Sequence, residues 1–428
     1  MFTALLCVIA GGILPGTYRR IRRRFSGNEV CKSQAFIREK DVSKMLLAGI
    51  RRSLGHQCNS TNGQINFDET IFNLHDHTVL DSRGSEGAIK FTNWFAEVTL
   101  RLRTLFGISE ASFLASLSRV QGEFAIGEGK GGSLFVTTQD SRFILKTVKK
   151  SERVSLHAMM YDYATYVNAH PSTLLPWFMG YYTLTTDDGE LTVVVMPNLL
   201  PPKLKIQARY DLKGSLVNRL VGKAPEDGDT LKDLDWLNRK QTIALTREDE
   251  GAVLQQLQFD SAFLTRHNIM DQSLLLCIHR TSWVRRITAF VHWIRIRFCK
   301  QRHSPSRFHS FQGGIPNISY KEVYYFGIID VLQSYNYRKK AENALKSFTS
   351  GARGIVTEEE IDLQDFAAKH SRHSAVAPEA YEARFLAFMR EHVFLRESRI
   401  NSGEIEATEK TLDKSYTMNW HCPRSDNF

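Results

Sequence analysis

The stretch that decides the fold is IGEGKGGSLFVTTQDSRFILKT, residues 126–147. Two strand-like runs, 133–138 and 143–148, are separated by the turn-prone residues 139–142, and this spacing predicts a β-hairpin. Ahead of the hairpin, three glycines form the pattern G-x-G-x-x-G: Gly127, Gly129 and Gly132. The chain therefore enters a sheet directly from a glycine-rich turn.

This glycine turn and Lys146 together indicate phosphate binding. A dinucleotide-binding fingerprint would have a helix after the glycines, whereas here a strand follows. That order is typical of a kinase-type flap, in which backbone N–H groups cover nucleotide phosphates and a lysine in the next strands reaches them. A lone strand lysine is usually solvated, but with the glycine turn in front we predict that Gly127, Gly129, Gly132 and Lys146 bind ATP.

Composition narrows the class of protein. The chain has 428 residues, 42% of them hydrophobic and 24% charged, which excludes wholesale disorder, collagen and coiled coil. Six cysteines without a C-x-x-C pair exclude a disulfide framework and make a structural zinc site unexpected. The net charge of +10 indicates an anionic partner: nucleic acid, a phospholipid surface or a phosphorylated substrate.

Hydrophobic spacing predicts an α+β protein. Apolar residues recur at spacings of three and four from Phe91 to Phe106, which predicts a core-facing helix. A second helix is predicted over 152–168, and further strands over 178–185 and 191–197. A sheet-rich first part around one helix, followed by a mixed part, favours two lobes.

The N-terminal run FTALLCVIAGGILPG, residues 2–16, carries no charge and is followed by five arginines within 19–24. It is shorter than the roughly 20 residues of a spanning helix, and a secretory signal would have its basic residues first. Three interpretations stay open: the end of a longer membrane segment, an anchor lying on the interface, or no membrane role. The positive-inside rule would place the arginines, and the chain after them, in the cytoplasm.

Acidic and basic residues complete a candidate phosphoryl-transfer site. YDLKGSLVNR contains Asp211, Lys213 and Arg219, NIMDQSLLL contains Asp271, and Asp330 follows two isoleucines. Phosphoryl transfer uses carboxylates for magnesium and for the hydroxyl proton, and cations for the phosphates. Each aspartate alone is more often a cap or turn residue. An ordinary protein kinase lacks support, because its catalytic-loop and magnesium-loop motifs are missing, and the flanking motifs of inositol polyphosphate kinases are missing too.

The chain resembles phosphatidylinositol phosphate kinases over residues 90–398, approximately. The matching stretches include GKGGSLFVTTQDSRFILKTVKKSE (129–152), HPSTLLPWFMGYY (170–182), YDLKGSLVNR (210–219), LKDLDWL (231–237), IMDQSLLLCIH (269–279) and YYFGIIDVLQSYNYRKK (324–340). The resemblance implies a two-lobed, kinase-like α+β fold, with an antiparallel sheet in the N-lobe and a flat basic surface facing the membrane. Three segments lie outside this region. We expect residues 1–25 to be a membrane anchor or the end of a transmembrane helix, residues 26–89 to be a variable linker, and residues 399–428 to be a C-terminal tail.

The resemblance also implies roles for individual residues. Lys146 is similar to the ATP-phosphate lysine, Asp271 to the catalytic-loop aspartate and Asp330 to the magnesium aspartate, so ATP and Mg²⁺ are expected. Asp211 is grouped with the catalytic residues, and Lys213 and Arg219 with the cations near the lipid phosphates. One departure is Gln272, where the family usually has Tyr. Another is an insertion at 349–377.

Substrate choice in this family follows the loop after Asp330. Its 5-kinases carry Glu two residues after a pair of lysines, and its 4-kinases carry Ala. Here Glu342 follows Lys339, Lys340 and Ala341, so we expect a 5-kinase acting on phosphatidylinositol 4-phosphate, with Lys339, Lys340 and Glu342 contacting the substrate. The alternatives are a 5-phosphate 4-kinase and a pseudokinase that binds phosphoinositide without chemistry.

A second insertion, within 281–310, contains WVRRITAFVHWIRIRFCK at 283–300. A basic helix with aromatic residues on one side suits an anionic membrane surface, and the competing interpretation is a core-packed insertion. No nucleic-acid module is recognisable, so a nucleic-acid partner is not expected. We expect the cytoplasmic face of a membrane, most of all the plasma membrane, as the location; a homodimer and an upstream receptor segment are further expectations.

Overall fold

The computed structural model describes residues 42–57, 76–80, 89–118, 120, 125–126, 133–186, 189–200, 204–221, 229–280, 314–335 and 377–394. The helices are α1 Val42–Gln57, α2 Ala96–Leu105, α3 Glu110–Leu117, α4 Lys150–Ala169, α5 Asp233–Asn238, α6 Arg247–Arg266 and α7 Pro378–Phe388, which continues into a π-helical turn, Met389–Val393. The strands are β1 Asp76–Leu80, β2 Ile89–Asn93, β3 Ala125–Ile126, β4 Leu134–Thr137, β5 Phe143–Thr147, β6 Gly180–Thr186, β7 Gly189–Pro197, β8 Ala208–Leu212, β9 Thr230–Leu231, β10 Ser273–Arg280, β11 Ile315–Pro316 and β12 Glu322–Ile329.

The first sheet is antiparallel throughout, in the order β1-β2-β6-β7-β5-β4-β3. The predicted hairpin is confirmed, because β4 and β5 pair with Phe135 opposite Lys146. β3 pairs with β4 through Ile126 and Leu134, so the glycine turn connects two paired strands. The predicted strands β6 and β7 and the helix α4 are also confirmed, with ends shifted by at most a few residues.

The helix predicted from Phe91 is wrong in its first part. Phe91 lies in strand β2, paired with Leu184 of β6, and the helix begins only at Ala96. Phe95, directly before it, has φ 51°, a left-handed conformation that separates the strand from the helix. Strand pairing here overrides a spacing that also fits a helix; Phe91 is fully buried in the strand.

The second sheet has the order β11-β12-β10-β8-β9, and its pairs are antiparallel except for β8 with β9. Most residues of β10 and β12 are buried, which explains their nearly continuous apolar sequences. One hydrophobic cluster contains residues of both sheets, among them Val194 and Leu274. The mixed helices and antiparallel sheets agree with the predicted α+β class; the two-lobed arrangement stays a prediction.

The stretch predicted as a linker, 26–89, contributes α1 and β1 to this fold. Leu46 and Ile50 of α1 are buried in the core, and Asn93 Nδ2 donates to Ser53 Oγ at 2.8 Å. The weak periodicity of this stretch did not indicate either element. Over the ranges that the structure describes, no helix is both long and apolar enough to cross a membrane.

Candidate active site

Three strand ends of the second sheet meet at one edge. Ser273, at the start of β10, pairs with Ile329, at the end of β12. Because the strands are antiparallel, Asp271 and Asp330 leave the sheet on the same side. The end of β8 lies there too, since Leu212 pairs with Leu274. The backbone of Lys213, the first residue after β8, therefore lies close to both aspartates.

Lys213 connects the two aspartates. Its ammonium lies 3.0 Å from Oδ1 of Asp271 and 3.8 Å from Oδ2 of Asp330, and it donates to the carbonyl of Asp271 at 2.7 Å. Lys213 itself is buried, whereas half of the Asp330 side chain is exposed. A buried cation between two carboxylates offsets their mutual repulsion and fixes their separation.

Both aspartates have a strained backbone. Asp271 has φ 72° and Asp330 has φ 62°, a left-handed conformation that costs about 1–3 kcal/mol for a residue with a side chain. The surrounding chain holds this geometry, because Met270 N donates to the Gln333 carbonyl at 3.1 Å across the two loops. Strained residues of this kind cluster at sites of chemistry.

Opposing charges act on the carboxylate of Asp330. Although half of the Asp330 side chain is exposed, the protein atoms around the carboxylate displace water from it and raise its pKa; the charges of Asp211 and Asp271 raise it further, and Lys213 and Lys146 oppose this. A divalent cation would relieve the repulsion among the three carboxylates, and carboxylate oxygens are the ligands that Mg²⁺ prefers. Among the residues described, no three metal-binding side chains form a complete site.

Lys146 reaches the same region from the first sheet. Its ammonium lies 3.3 Å from Oε1 of Glu152, near the start of α4, and the other oxygen of Glu152 accepts from Lys149 N at 2.9 Å. Since the charge of Lys146 lowers the pKa of Asp330, the two residues lie close enough to interact. A strand lysine held by a helix glutamate is also how protein kinases position their phosphate-binding lysine.

Arg219 is buried and its nitrogen atoms contact two aspartates. Nε lies 2.6 Å from Asp233, and the terminal nitrogens contact the carboxylate of Asp211, the nearer at 3.1 Å. Burial alone would raise the pKa of Asp211, but Arg219 and Lys213 outweigh it and hold that pKa below its usual value. The predicted roles of Lys213 and Arg219 in lipid binding stay predictions; the contacts seen here are with the carboxylates and backbone carbonyls of aspartates.

Asp233 holds the loop after β8, and no sequence pattern indicated this role. It is fully buried at the start of α5, and its Oδ1 accepts from the amides of Lys213 and Gly214 at 2.9 and 2.7 Å. Its Oδ2 accepts from Arg219, so one carboxylate holds the whole loop after β8. The segment LKDLDWL was recognisable, but nothing in it separates the buried Asp233 from its neighbour Asp235.

The chain is similar in sequence to known proteins over most of its length. The sequence profile of the family described as "Phosphatidylinositol-4-phosphate 5-Kinase" matches residues 121–288 and 297–392. A Rattus norvegicus protein named phosphatidylinositol 5-phosphate 4-kinase type-2 beta is 30% identical over 361 residues, 76% of this chain and 81% of its own. The chain belongs to the phosphatidylinositol phosphate kinase family. The resemblance found in the sequence is thereby confirmed.

Two further relatives differ in the share of their own length that matches this chain. A Dictyostelium discoideum protein named probable phosphatidylinositol phosphate kinase is 32% identical over 367 residues, 73% of this chain, and the chain spans about half (49%) of its length. A Homo sapiens phosphatidylinositol 5-phosphate 4-kinase type-2 gamma is 30% identical over 347 residues, 70% of this chain and 76% of its own.

Several predicted site residues of this family member lie outside the described residues. They are Gly127, Gly129, Gly132, Lys339, Lys340 and Glu342. The same holds for the N-terminal apolar run, the basic insertion within 281–310 and nearly all of the insertion at 349–377. The structure thus brings together Lys146, Asp211, Lys213, Arg219, Asp271 and Asp330, and the roles of all these residues stay predictions.

Proposed function

We propose that this protein transfers the γ-phosphate of ATP to the inositol ring of a phosphatidylinositol monophosphate. The observation that carries the proposal is the buried Lys213, whose ammonium lies within 3.8 Å of both Asp271 and Asp330. Phosphoryl transfer needs a cation for phosphate charge, a carboxylate for the metal and a carboxylate for the hydroxyl proton. Together with Lys146, this edge of the second sheet supplies all three.

Each residue then has a separate role. Lys146, oriented by Glu152, neutralises the phosphates of ATP. Asp271 accepts the proton of the attacking inositol hydroxyl, and Asp330 is the residue that would hold Mg²⁺. When bound, Mg²⁺ supplies charge neutralisation at the phosphate oxygens. Asp211, whose pKa is held low, adds negative charge beside Lys213 and pairs with Arg219.

The names of the relatives favour one substrate isomer. The rat and human relatives are named as kinases that phosphorylate the 4-position of a 5-phosphate lipid. They support the 5-phosphate lipid as the substrate better than the expectation of a 4-phosphate lipid drawn from Glu342. The second candidate, a 4-phosphate 5-kinase, stays in view because Glu342 follows the lysine pair.

The assay offers ATP labelled at the γ-phosphate and vesicles that contain either the 4-phosphate or the 5-phosphate lipid. The proposal predicts faster labelling of the 5-phosphate lipid by the wild type. A wild type that prefers the 4-phosphate lipid, and loses this preference in Glu342→Ala, would establish the second candidate instead. Glu379→Ala, which changes an exposed glutamate on α7, is the matched control.

The same assay separates an active kinase from a pseudokinase. Lys146, Asp271 and Asp330 are all present, which supports an active enzyme. Labelling of neither lipid by the wild type, combined with binding to phosphoinositide vesicles, would favour the binding protein.

The proposed site of action is the cytoplasmic face of a membrane. Its support is the net charge of +10 and the arginines and aromatic residues of 283–300. Changing Arg285, Arg286, Arg295 and Arg297 to Ser should weaken binding to anionic vesicles, most at low salt, because screening is weakest there. Binding that does not change at any salt concentration would favour a core-packed insertion.

A further inference from the structure

Helix α7 packs against both loops that carry the site. A Cβ added to Gly214, which has φ 67°, would lie 3.0 Å from the Arg384 carbonyl and 3.0 Å from Phe388 Cβ. The Lys213 loop therefore lies directly against the helix. On the other loop, the hydroxyl of Tyr381 donates to the carbonyl of Gln272, the residue after Asp271.

Tyr381 is built to remain a hydrogen-bond donor. Its side chain is fully buried, and the guanidinium of Arg384 lies 4.8 Å from its ring centre. Burial raises the pKa of the phenol well above its usual value, the charge of Asp271 raises it further, and Arg384 opposes this. The phenol is therefore protonated at neutral pH and can donate its hydrogen bond.

Two consecutive carbonyls of the catalytic loop are each held by a side chain from a distant part of the chain. Lys213 Nζ donates to the carbonyl of Asp271 at 2.7 Å, and Tyr381 donates to the carbonyl of Gln272. Together these bonds hold the two peptide planes that follow Asp271, the first through Lys213 and the second through Tyr381. Asp271 has φ 72°, a left-handed conformation that costs free energy for a residue with a side chain, and these contacts help to hold it.

The side chain of Gln272 makes no hydrogen bond to the described residues that would hold this loop. It is 1% exposed, and neither of its amide atoms has a hydrogen-bond partner among the residues described. The contact between α7 and this loop thus passes through the backbone, so it does not depend on which side chain occupies position 272.

We propose that Tyr381 is a positioning residue for phosphoryl transfer, which holds the carboxylate of Asp271 in place through the carbonyl of Gln272. This inference rests on the proposed function, in which Asp271 accepts the hydroxyl proton. A base displaced by a fraction of an ångström loses much of its effect, whereas the binding of ATP at Lys146 does not depend on it.

The test is Tyr381→Phe in the full chain, which keeps the ring and removes the donor. We expect kcat for the preferred lipid to fall about tenfold while KM for ATP stays within about twofold. Tyr163→Phe is the control, because Tyr163 is also buried and its hydroxyl donates to a backbone carbonyl, that of Pro176, at 2.7 Å; it also accepts from Phe178 N at 3.1 Å. The control should lose similar stability and keep its kcat.

A double-mutant cycle separates positioning from general weakening. If Tyr381 acts through Asp271, Tyr381→Phe should change kcat by less than about twofold in an Asp271→Asn background, measured with labelled ATP. The same tenfold loss in both backgrounds, or a wild-type kcat in Tyr381→Phe alone, would overturn the inference.

Hydrogen exchange provides a readout without activity. Tyr381→Phe should speed exchange of the amides at 270–274 more than Tyr163→Phe does. Equal exchange in the two variants would mean that Tyr381 does not hold this loop. A wild type that labels neither lipid would overturn the proposed function, and the exchange measurement would still decide whether Tyr381 restrains the backbone at Asp271.

Discussion

Asp233 and Asp260 are both fully buried carboxylates, but different kinds of donor reach them. Asp233 accepts from a guanidinium, that of Arg219, at 2.6 Å and from two backbone amides. Asp260 accepts from neutral groups only: Tyr166 Oη at 2.6 Å, Thr173 Oγ1 at 2.6 Å, Leu174 N at 2.8 Å and Gln256 Nε2 at 2.9 Å. One buried charge is neutralised by an ion pair, and the other is only solvated by dipoles.

Asp233 supports the Asp271 side of the site. It holds the backbone of Lys213, and the ammonium of Lys213 contacts Asp271. This support is ionic, so it depends on charges that are strong where water is excluded.

Asp260 supports the Asp330 side through a neutral route. Leu174 N donates to Asp260, and the carbonyl of Leu174 accepts from Ile328 N at 2.7 Å, two residues before Asp330. The two sides of one site thus rest on supports with different chemistry. They should respond differently to mutation and to pH.

The largest effect on stability is expected at Asp233. Asp233→Asn leaves the buried Arg219 without its closest counter-charge, which should lower the free energy of unfolding by about 3–5 kcal/mol. Urea unfolding measures this. Asp235→Asn is the control: Asp235 accepts from the amides of Lys232 and Val221, so its loss should cost about 1 kcal/mol. Equal losses in the two variants would contradict the ionic role of Asp233.

The two reacting aspartates should differ in their response to magnesium. Asp271→Asn and Asp330→Asn should each lower kcat by at least about 100-fold, since an amide neither takes a proton nor binds the metal well. Raising the Mg²⁺ concentration should partly restore Asp330→Asn and hardly change Asp271→Asn. Equal restoration of both would show that the two roles are not divided as proposed.

The neutral support at Asp260 should appear in the pH dependence of stability. Burial raises its pKa in the folded protein from 3.8 to about 6. The protonated form is therefore favoured by folding, and its contribution is complete below pH 3.8 and lost as the pH rises through 6. Relative to Asp260→Asn, the wild type should lose about 2–3 kcal/mol of unfolding free energy between pH 4 and 7. Urea unfolding of both proteins across this range tests it, and a constant difference would contradict it.

The smallest effect is expected at Gln272. Gln272→Met removes two buried polar atoms that have no partner among the described residues and keeps the carbonyl that Tyr381 holds. The free energy of unfolding should therefore stay the same or rise by up to about 1 kcal/mol. A loss of more than about 1 kcal/mol in urea unfolding would show that the amide makes a contact of its own.

Local patterns were enough to predict the hairpin that carries Lys146. Two strand-like runs and the turn-prone residues between them lie within a few neighbouring residues. Phe91 shows the limit of such signals, because a buried apolar residue satisfies a strand and a helix equally well.

The supports of the site could not be predicted in the same way. Asp233 and Tyr381 reach the catalytic loops from positions that are distant in sequence, and each looks locally like an ordinary helix residue. Asp260 lies within the polar and apolar alternation of a long helix, where nothing indicates that its carboxylate is buried. Their roles depend on tertiary contacts, which one sequence does not specify locally.

The most direct test of the central claim is phosphate transfer by Lys146→Met. The claim is that Lys146 of the first sheet and the aspartates around Lys213 form one site for ATP and lipid. With labelled ATP and phosphatidylinositol monophosphate vesicles, the wild type should label lipid, and Lys146→Met should be at least about 100-fold slower at an unchanged unfolding midpoint. A folded Lys146→Met protein that keeps most of the activity would contradict the claim.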